Sequence, residues 1–141
     1  MRLHVQLLSH ADHLVSLSAR SHGQADLRRA ISSAYYAVFH LLIHQAVRRL
    51  IGTAGSRDAR ELRHQMSRWF QHSQMKATSG WFKPTGKIPP QVVELLKYSS
   101  ALPAGCVPAS LSRVAAAFID LQEARHSADY DLEYSPSRQE A

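Results

Sequence analysis

Apolar positions along the chain recur in steps of three and four, the spacing of amphipathic helices rather than the alternation of strands. From Leu3 to Arg20 the stripe is Leu7, Leu8, Ala11, Leu14, Val15 and Leu17, and Gly23 follows as a stop. Asp26 is placed to cap a second helix, Leu27 to Ile51, with Gly52 and Gly55 ending it. On that helix Ile31, Ala34, Tyr35, Val38, Leu41, Leu42 and Gln45 trace one face, apolar except at its last position. Ser56 and Asp58 offer caps for a third helix reaching about Lys76, with Asp58 and Glu61 at capping-box spacing. Its apolar positions are Leu62, Met66, Trp69, Phe70 and Met75. The segment TSGWFKPTGKIPP then predicts a break, because Gly80, Pro84, Gly86, Pro89 and Pro90 oppose continuous helix. A short helix from Gln91 to Ser99, a loop LPAGCVPAS, and a last helix capped by Ser110 and running from Leu111 to about Leu132 complete the pattern. The polar residues 135–141 read as a flexible tail.

With no convincing strand and no repeat, this pattern predicts an all-α fold, an antiparallel four- to five-helix bundle formed by a single domain over residues 1–134. At 141 residues the chain is long enough to bury a substantial core. No apolar run approaches the roughly 18–20 residues that span a bilayer, and the first segment lacks the features of a secretory signal. The single Cys106 excludes an internal disulfide framework and cysteine-based zinc patterns, which fits a cytoplasmic protein. The net charge of +6 permits a polyanionic partner such as RNA without requiring one.

The last helix carries an anomaly. Val114, Phe118 and Leu121 set up a stripe whose next positions are Arg125, Ala128 and Leu132, so an arginine stands where an apolar residue is expected. A guanidinium on such a line must be paired, snorkel outward or face a cavity. Asp129 lies one turn from Arg125, and His126 lies one turn from Tyr130. Arg125, His126, Asp129 and Tyr130 therefore form one polar patch. A phosphate-binding arginine beside a titratable imidazole suits RNA binding or cleavage. An Arg–Asp tie between helices is the bland alternative. On the second helix, Arg29, Ser33, Tyr36, His40 and His44 form a polar line that either borders a groove or packs between helices. His40 and His44 have metal-compatible spacing, but the glutamate of a zinc-protease helix is missing and no third ligand is identifiable. Trp81 and Phe82 interleave with Lys76, Lys83 and Lys87, an arrangement that clamps single-stranded bases or plugs the end of a bundle. No phosphate loop, dinucleotide fingerprint or nucleophile elbow is present, and no cofactor or metal is expected.

Two stretches, RRAISSAYYAVFHLLIHQA (28–46) and LQEARHSADYD (121–131), together resemble the HEPN family of small helical bundles. The resemblance implies a homodimer whose last helices face a shared cleft. Many members are metal-independent ribonucleases; some are toxins paired with a nucleotidyltransferase-type antitoxin, others belong to larger defence complexes, and others only bind nucleotides or partners. Carried onto this chain, Arg125 matches the motif arginine and His126 its polar second position. The closing histidine of the motif is replaced by Tyr130, and a tyrosine of ordinary pKa is only about one part in a thousand phenolate at pH 7. His126 is then the remaining acid or base, with Asp129 orienting it or the arginine and Tyr130 donating to phosphate. Tyr36, His40, His72 and Lys83 are the expected substrate contacts. The alternative function is a non-catalytic subunit that binds a nucleotide or a partner in the same cleft.

Overall fold

The computed structural model describes residues 2–21, 23–98 and 107–141. Among these residues the chain is all helical: α1 (Leu3–Ser21), α2 (Gln24–Ile51), α3 (Arg57–Ser67), α4 (His72–Phe82), α5 (Pro90–Lys97) and α6 (Ala109–Tyr130). Ser99 and Cys106 lie outside the described residues. None of the described helices is long and apolar enough to cross a membrane. The chain divides into two compact units, Met1–His72 with Leu121–Ala141, and Ser73–Asp120.

In the first unit α1 and α2 form an antiparallel pair. His10 lies 3.2 Å from Ser33 across it, while the earlier His4 stacks toward the later His44. Ala11, Leu14 and Ala30 form a core cluster, with Val15, Leu17 and Ala34 against it. Alanine at these positions lets the two backbones approach closely and costs no side-chain entropy on burial. Four consecutive residues of α2, Ala30 to Ser33, are buried. Four residues exceed one helical turn, so α2 is covered on all sides here rather than along one stripe. That is why the expected face is only partly right. Tyr35 and Ile31 are buried, but Leu41 is 37% exposed and Gln45 is exposed, while Ala37, Phe39, Ile43 and Val47 are buried instead.

Other boundaries also differ. Helix α2 begins at Gln24 with Gly23 in the cap position, which leaves Asp26 in the first turn, where its charge favours the helix dipole. Gly52, at φ 85°, terminates it in the left-handed region open to glycine. Ser56 does cap α3, accepting from the Ala59 amide at 3.3 Å. The expected third helix is interrupted, however, at Arg68–Gln71, and Trp69 is 70% exposed rather than in a core. The tail expected to be loose folds back. Pro136 is fully buried, Arg138 donates to the Ser18 carbonyl at 3.3 Å, and Ala141 packs on the α1–α2 core.

In the second unit α4 continues through Gly80 to Phe82, where a break was expected, since one helical glycine costs only about 1 kcal/mol. Gly86 closes the turn that follows. A β-carbon there would collide with the carbonyl oxygens of Gly80 and Trp81. Pro90 stands at the start of α5, where its missing amide hydrogen costs nothing. Helix α6 starts at Ala109, so Ser110 lies in its first turn rather than at the cap. Phe118 and Ala115 are buried on α6, but Val114 is 44% exposed, and Leu132 lies beyond the helix and is 92% exposed.

The last turns of α6, from Leu121 on, are joined to α2 by an antiparallel polar ladder. Arg28 donates to the carbonyls of Ala128 at 2.7 Å and Asp131 at 2.5 Å, satisfying acceptors that a helix end leaves open. One turn on, Ser32 donates to Asp129 at 2.6 Å; a further turn on, Tyr36 meets Arg125. Replacing Arg28 by alanine removes charge-assisted bonds and leaves those carbonyls short of donors. Urea unfolding should show a loss of about 1.5–3 kcal/mol, partly restored in Arg28→Lys. An unchanged midpoint would show that the ladder does not anchor α6.

Candidate functional site

The ladder ends in a cluster around Arg125. Its Nε lies 2.7 Å from Asp129 Oδ2, one helical turn away, and each side chain is 22% exposed. The other carboxylate oxygen of Asp129 accepts from Ser32, so a single carboxylate joins α2 to α6 and aligns the guanidinium. Nη2 of Arg125 donates to the Tyr36 hydroxyl at 3.1 Å. The guanidinium carbon also lies 6.0, 5.6 and 5.7 Å from the ring centres of Tyr35, Tyr36 and Tyr130, within cation–π range. Burial alone would weaken the charge, but Tyr36, Asp129, Tyr130 and Tyr35 together hold the arginine above its ordinary range. Arg125 is a fixed, permanent cation at the surface end of a helix.

Behind it stands a second layer. The Tyr35 hydroxyl is 2.5 Å from Nδ1 of His72, and the His72 ring stacks on Phe39 at 4.0 Å. Burial pushes the Tyr35 phenol up to about 12, against the opposing pull of Arg125. Burial, then Arg125 and His40, push His72 below its ordinary value. Both directions give a protonated phenol and a neutral imidazole at neutral pH, sharing one hydrogen bond. His72 therefore helps to orient Tyr35.

Most of the residues expected from the sequence meet here. Arg125, Asp129, Tyr130 and Tyr36 are in direct contact, and the His126 ring lies 5.0 Å from Tyr130 on the exposed side. His40 stacks on Tyr36 at 6.5 Å, and His72 approaches Tyr36 edge-on at 5.9 Å. Lys83 does not join this description: it lies in the Ser73–Asp120 unit, beside a groove of about 410 Å³ whose walls include Trp81 and Phe82. The polar line expected on α2 is also corrected. Arg29 is exposed and Ser33 faces His10 of α1, while the line meeting α6 is Arg28, Ser32, Tyr36. Arg28 and Ser32 were not singled out in the sequence, although the four-residue steps from Tyr36 pass through both. Tyr35, read as a core residue, is buried and also contributes its ring to the cage. Among the described residues no group of three His, Cys, Asp or Glu side chains is placed to hold a metal ion.

Comparison of the chain with protein-family models, curated proteins and solved structures finds no match.

The lowered pKa of His72 makes a signed prediction. A group depressed in the folded state contributes stability that is present above its unfolded pKa of about 6.5 and lost as pH falls through its folded value. His40 and His44 are shifted in the same direction, each chiefly by burial. Unfolding free energy should therefore hold steady from pH 8 to about 6.5 and fall below that, with a shallower fall in His72→Gln. An identical slope in that variant would contradict the neutral, buried role given to His72.

Proposed function

We propose that the Arg125 cluster acts on RNA as a metal-independent endoribonuclease of the HEPN type, formed by two copies of the chain in the cytoplasm. The observation that carries this reading is the juxtaposition of a fixed arginine with His126 and Tyr130 on one exposed end of α6. Arg125 would hold the scissile phosphate and the charge that develops on its oxygens. Its attachment to Asp129 and Tyr36 sets the guanidinium before substrate arrives, so little side-chain entropy is lost on binding.

His126, exposed and beside Tyr130, takes the proton of the ribose 2′-hydroxyl or returns one to the leaving 5′-oxygen. The new bond joins the 2′-oxygen to phosphorus and the bond to the 5′-oxygen breaks, leaving a cyclic phosphate and a 5′-hydroxyl. Tyr130, 65% exposed, donates to a phosphate oxygen rather than serving as base. Tyr36 and His40 extend the polar surface along α2. A basic chain of net charge +6 favours the polyanion.

A second reading is favoured by the same ion pair. Arg125 is already matched by Asp129, so the cluster also suits a non-catalytic subunit that binds a nucleotide or a partner such as a nucleotidyltransferase-type antitoxin.

Labelled RNA incubated with the protein in EDTA separates the two. The enzyme reading expects cleavage that falls about 10²–10³-fold in Arg125→Ala, which loses the phosphate donor, and about 10²–10⁴-fold in His126→Ala. Circular dichroism of the variants checks that the helices persist. No cleavage across varied substrates, with Arg125-dependent nucleotide binding retained, would transfer the assignment to the binding subunit.

A further inference from the structure

A second basic feature lies in the Met1–His72 unit, in a groove of about 330 Å³ bordered by the start of α1, the second half of α2, and α3. Its apolar lining is Leu3, Ile43 and Val47; its charged and titratable lining is Arg2, His4, His40, His44, Arg63 and His64. Among the described residues no aspartate or glutamate lines it. Arg63 donates to the carbonyls of Gly52 at 2.9 Å and Ala54 at 2.8 Å, which fix the guanidinium without neutralising it. Among the described residues neither Arg2 nor Arg63 pairs with a carboxylate.

His44 gives an independent sign. Among the described residues its buried Nε2 finds no hydrogen-bond partner, although buried polar atoms almost always have one. Its ring is 5.6 Å from that of His4. Burial first, then the positive charge of Arg2, Arg48, His4 and Arg63, drives its pKa down, with His64 on α3 and His40 on α2 the remaining titratable groups on the groove. Every charged group acting on His44 is thus cationic, and among the described residues a buried ring nitrogen is left without a partner. The complement to that arrangement is an anion with several acceptor oxygens.

We propose that this groove is a phosphate-binding site, separate from the Arg125 cluster, that takes the phosphate of a nucleotide or of an RNA chain. Arg2 and Arg63 supply fixed charge, and His44 supplies the buried donor. An arriving anion offsets the mutual repulsion of the cations, so binding is accompanied by proton uptake on the histidines.

The test follows the histidine ring resonances of the full chain by NMR during titration with inorganic phosphate. Saturable shifts are expected for His4, His44 and His64. Arg2→Gln and His44→Gln should each weaken binding about tenfold, as for the loss of one charge-assisted contact. Arg2 precedes α1 and is exposed, so its replacement leaves the helices intact. Arg125→Ala should leave these shifts unchanged, which keeps the result independent of the ribonuclease reading. Sulfate, whose charge is constant over this range, should bind more tightly at pH 6 than at pH 8. Adenosine monophosphate and a 5′-phosphorylated oligonucleotide, the latter compared with its 5′-hydroxyl twin, distinguish the two sources of phosphate. Resonances unmoved by any of these anions, binding by both groove variants as tight as by the unaltered protein, or a flat sulfate profile would overturn the proposal.

Discussion

The carboxylate of Asp129 accepts from Ser32 on α2 and forms an ion pair with Arg125 one turn back on its own helix. Neither demand is satisfied alone. Without Ser32 the Asp129 carboxylate would have no partner on α2; without Arg125, Ser32 would hold a half-buried charge with no counter-ion. Arg28 closes the same interface by filling the open carbonyls at the end of α6. The antiparallel register between α2 and α6 follows from these contacts, since partners in four-residue steps on one helix meet partners in four-residue steps on the other. A slip of one residue would rotate α6 by about 100° and separate all of them at once.

The same interface places the candidate chemistry. Arg125 is tied at Nε by Asp129 and at Nη2 by Tyr36, with three tyrosine rings around it. Rings at that distance stabilise the cation without neutralising it, which a second carboxylate would do. Behind the cage, the protonated Tyr35 and the neutral His72 form a hydrogen-bonded pair that keeps one cage wall fixed. The groove around His44 follows a different logic: among the described residues its lining holds cations and no carboxylate, and one buried ring nitrogen has no partner. One unit therefore presents a compensated arginine at one end of a polar line on α2 and an uncompensated basic groove farther along it.

Much of this organisation was legible in the spacing of residues. Helices α1, α2 and α6 announce themselves by long apolar periodicity, and the Arg125 anomaly stands out because the stripe around it is otherwise regular. Other features depend on tertiary contacts that leave no local signal. The interruption at Arg68–Gln71 contains neither glycine nor proline; it brings His72 against Phe39 and Tyr35. Gly80 carries the opposite message, a breaker by composition that the helix tolerates. Pro136 looked like part of a loose tail because burial of a polar terminal segment depends on distant partners, here Ser18 and the α1–α2 core. Ser32 was passed over because a serine between Ile31 and Ser33 gives no hint of the carboxylate it will meet ninety-seven positions later.

Under the proposed function Arg125 is a phosphate ligand already held by Asp129 and Tyr36, and not a tie between helices alone. The most direct measurement follows the Arg125 Nε resonance by ¹⁵N NMR while a 2′-O-methyl RNA, which lacks the nucleophilic hydroxyl, is titrated into the protein. Phosphate engagement predicts a saturable shift of that resonance together with the ring signals of His126. An Arg125 resonance that stays in place at RNA concentrations saturating the protein would contradict the claim and leave the arginine with a structural role only.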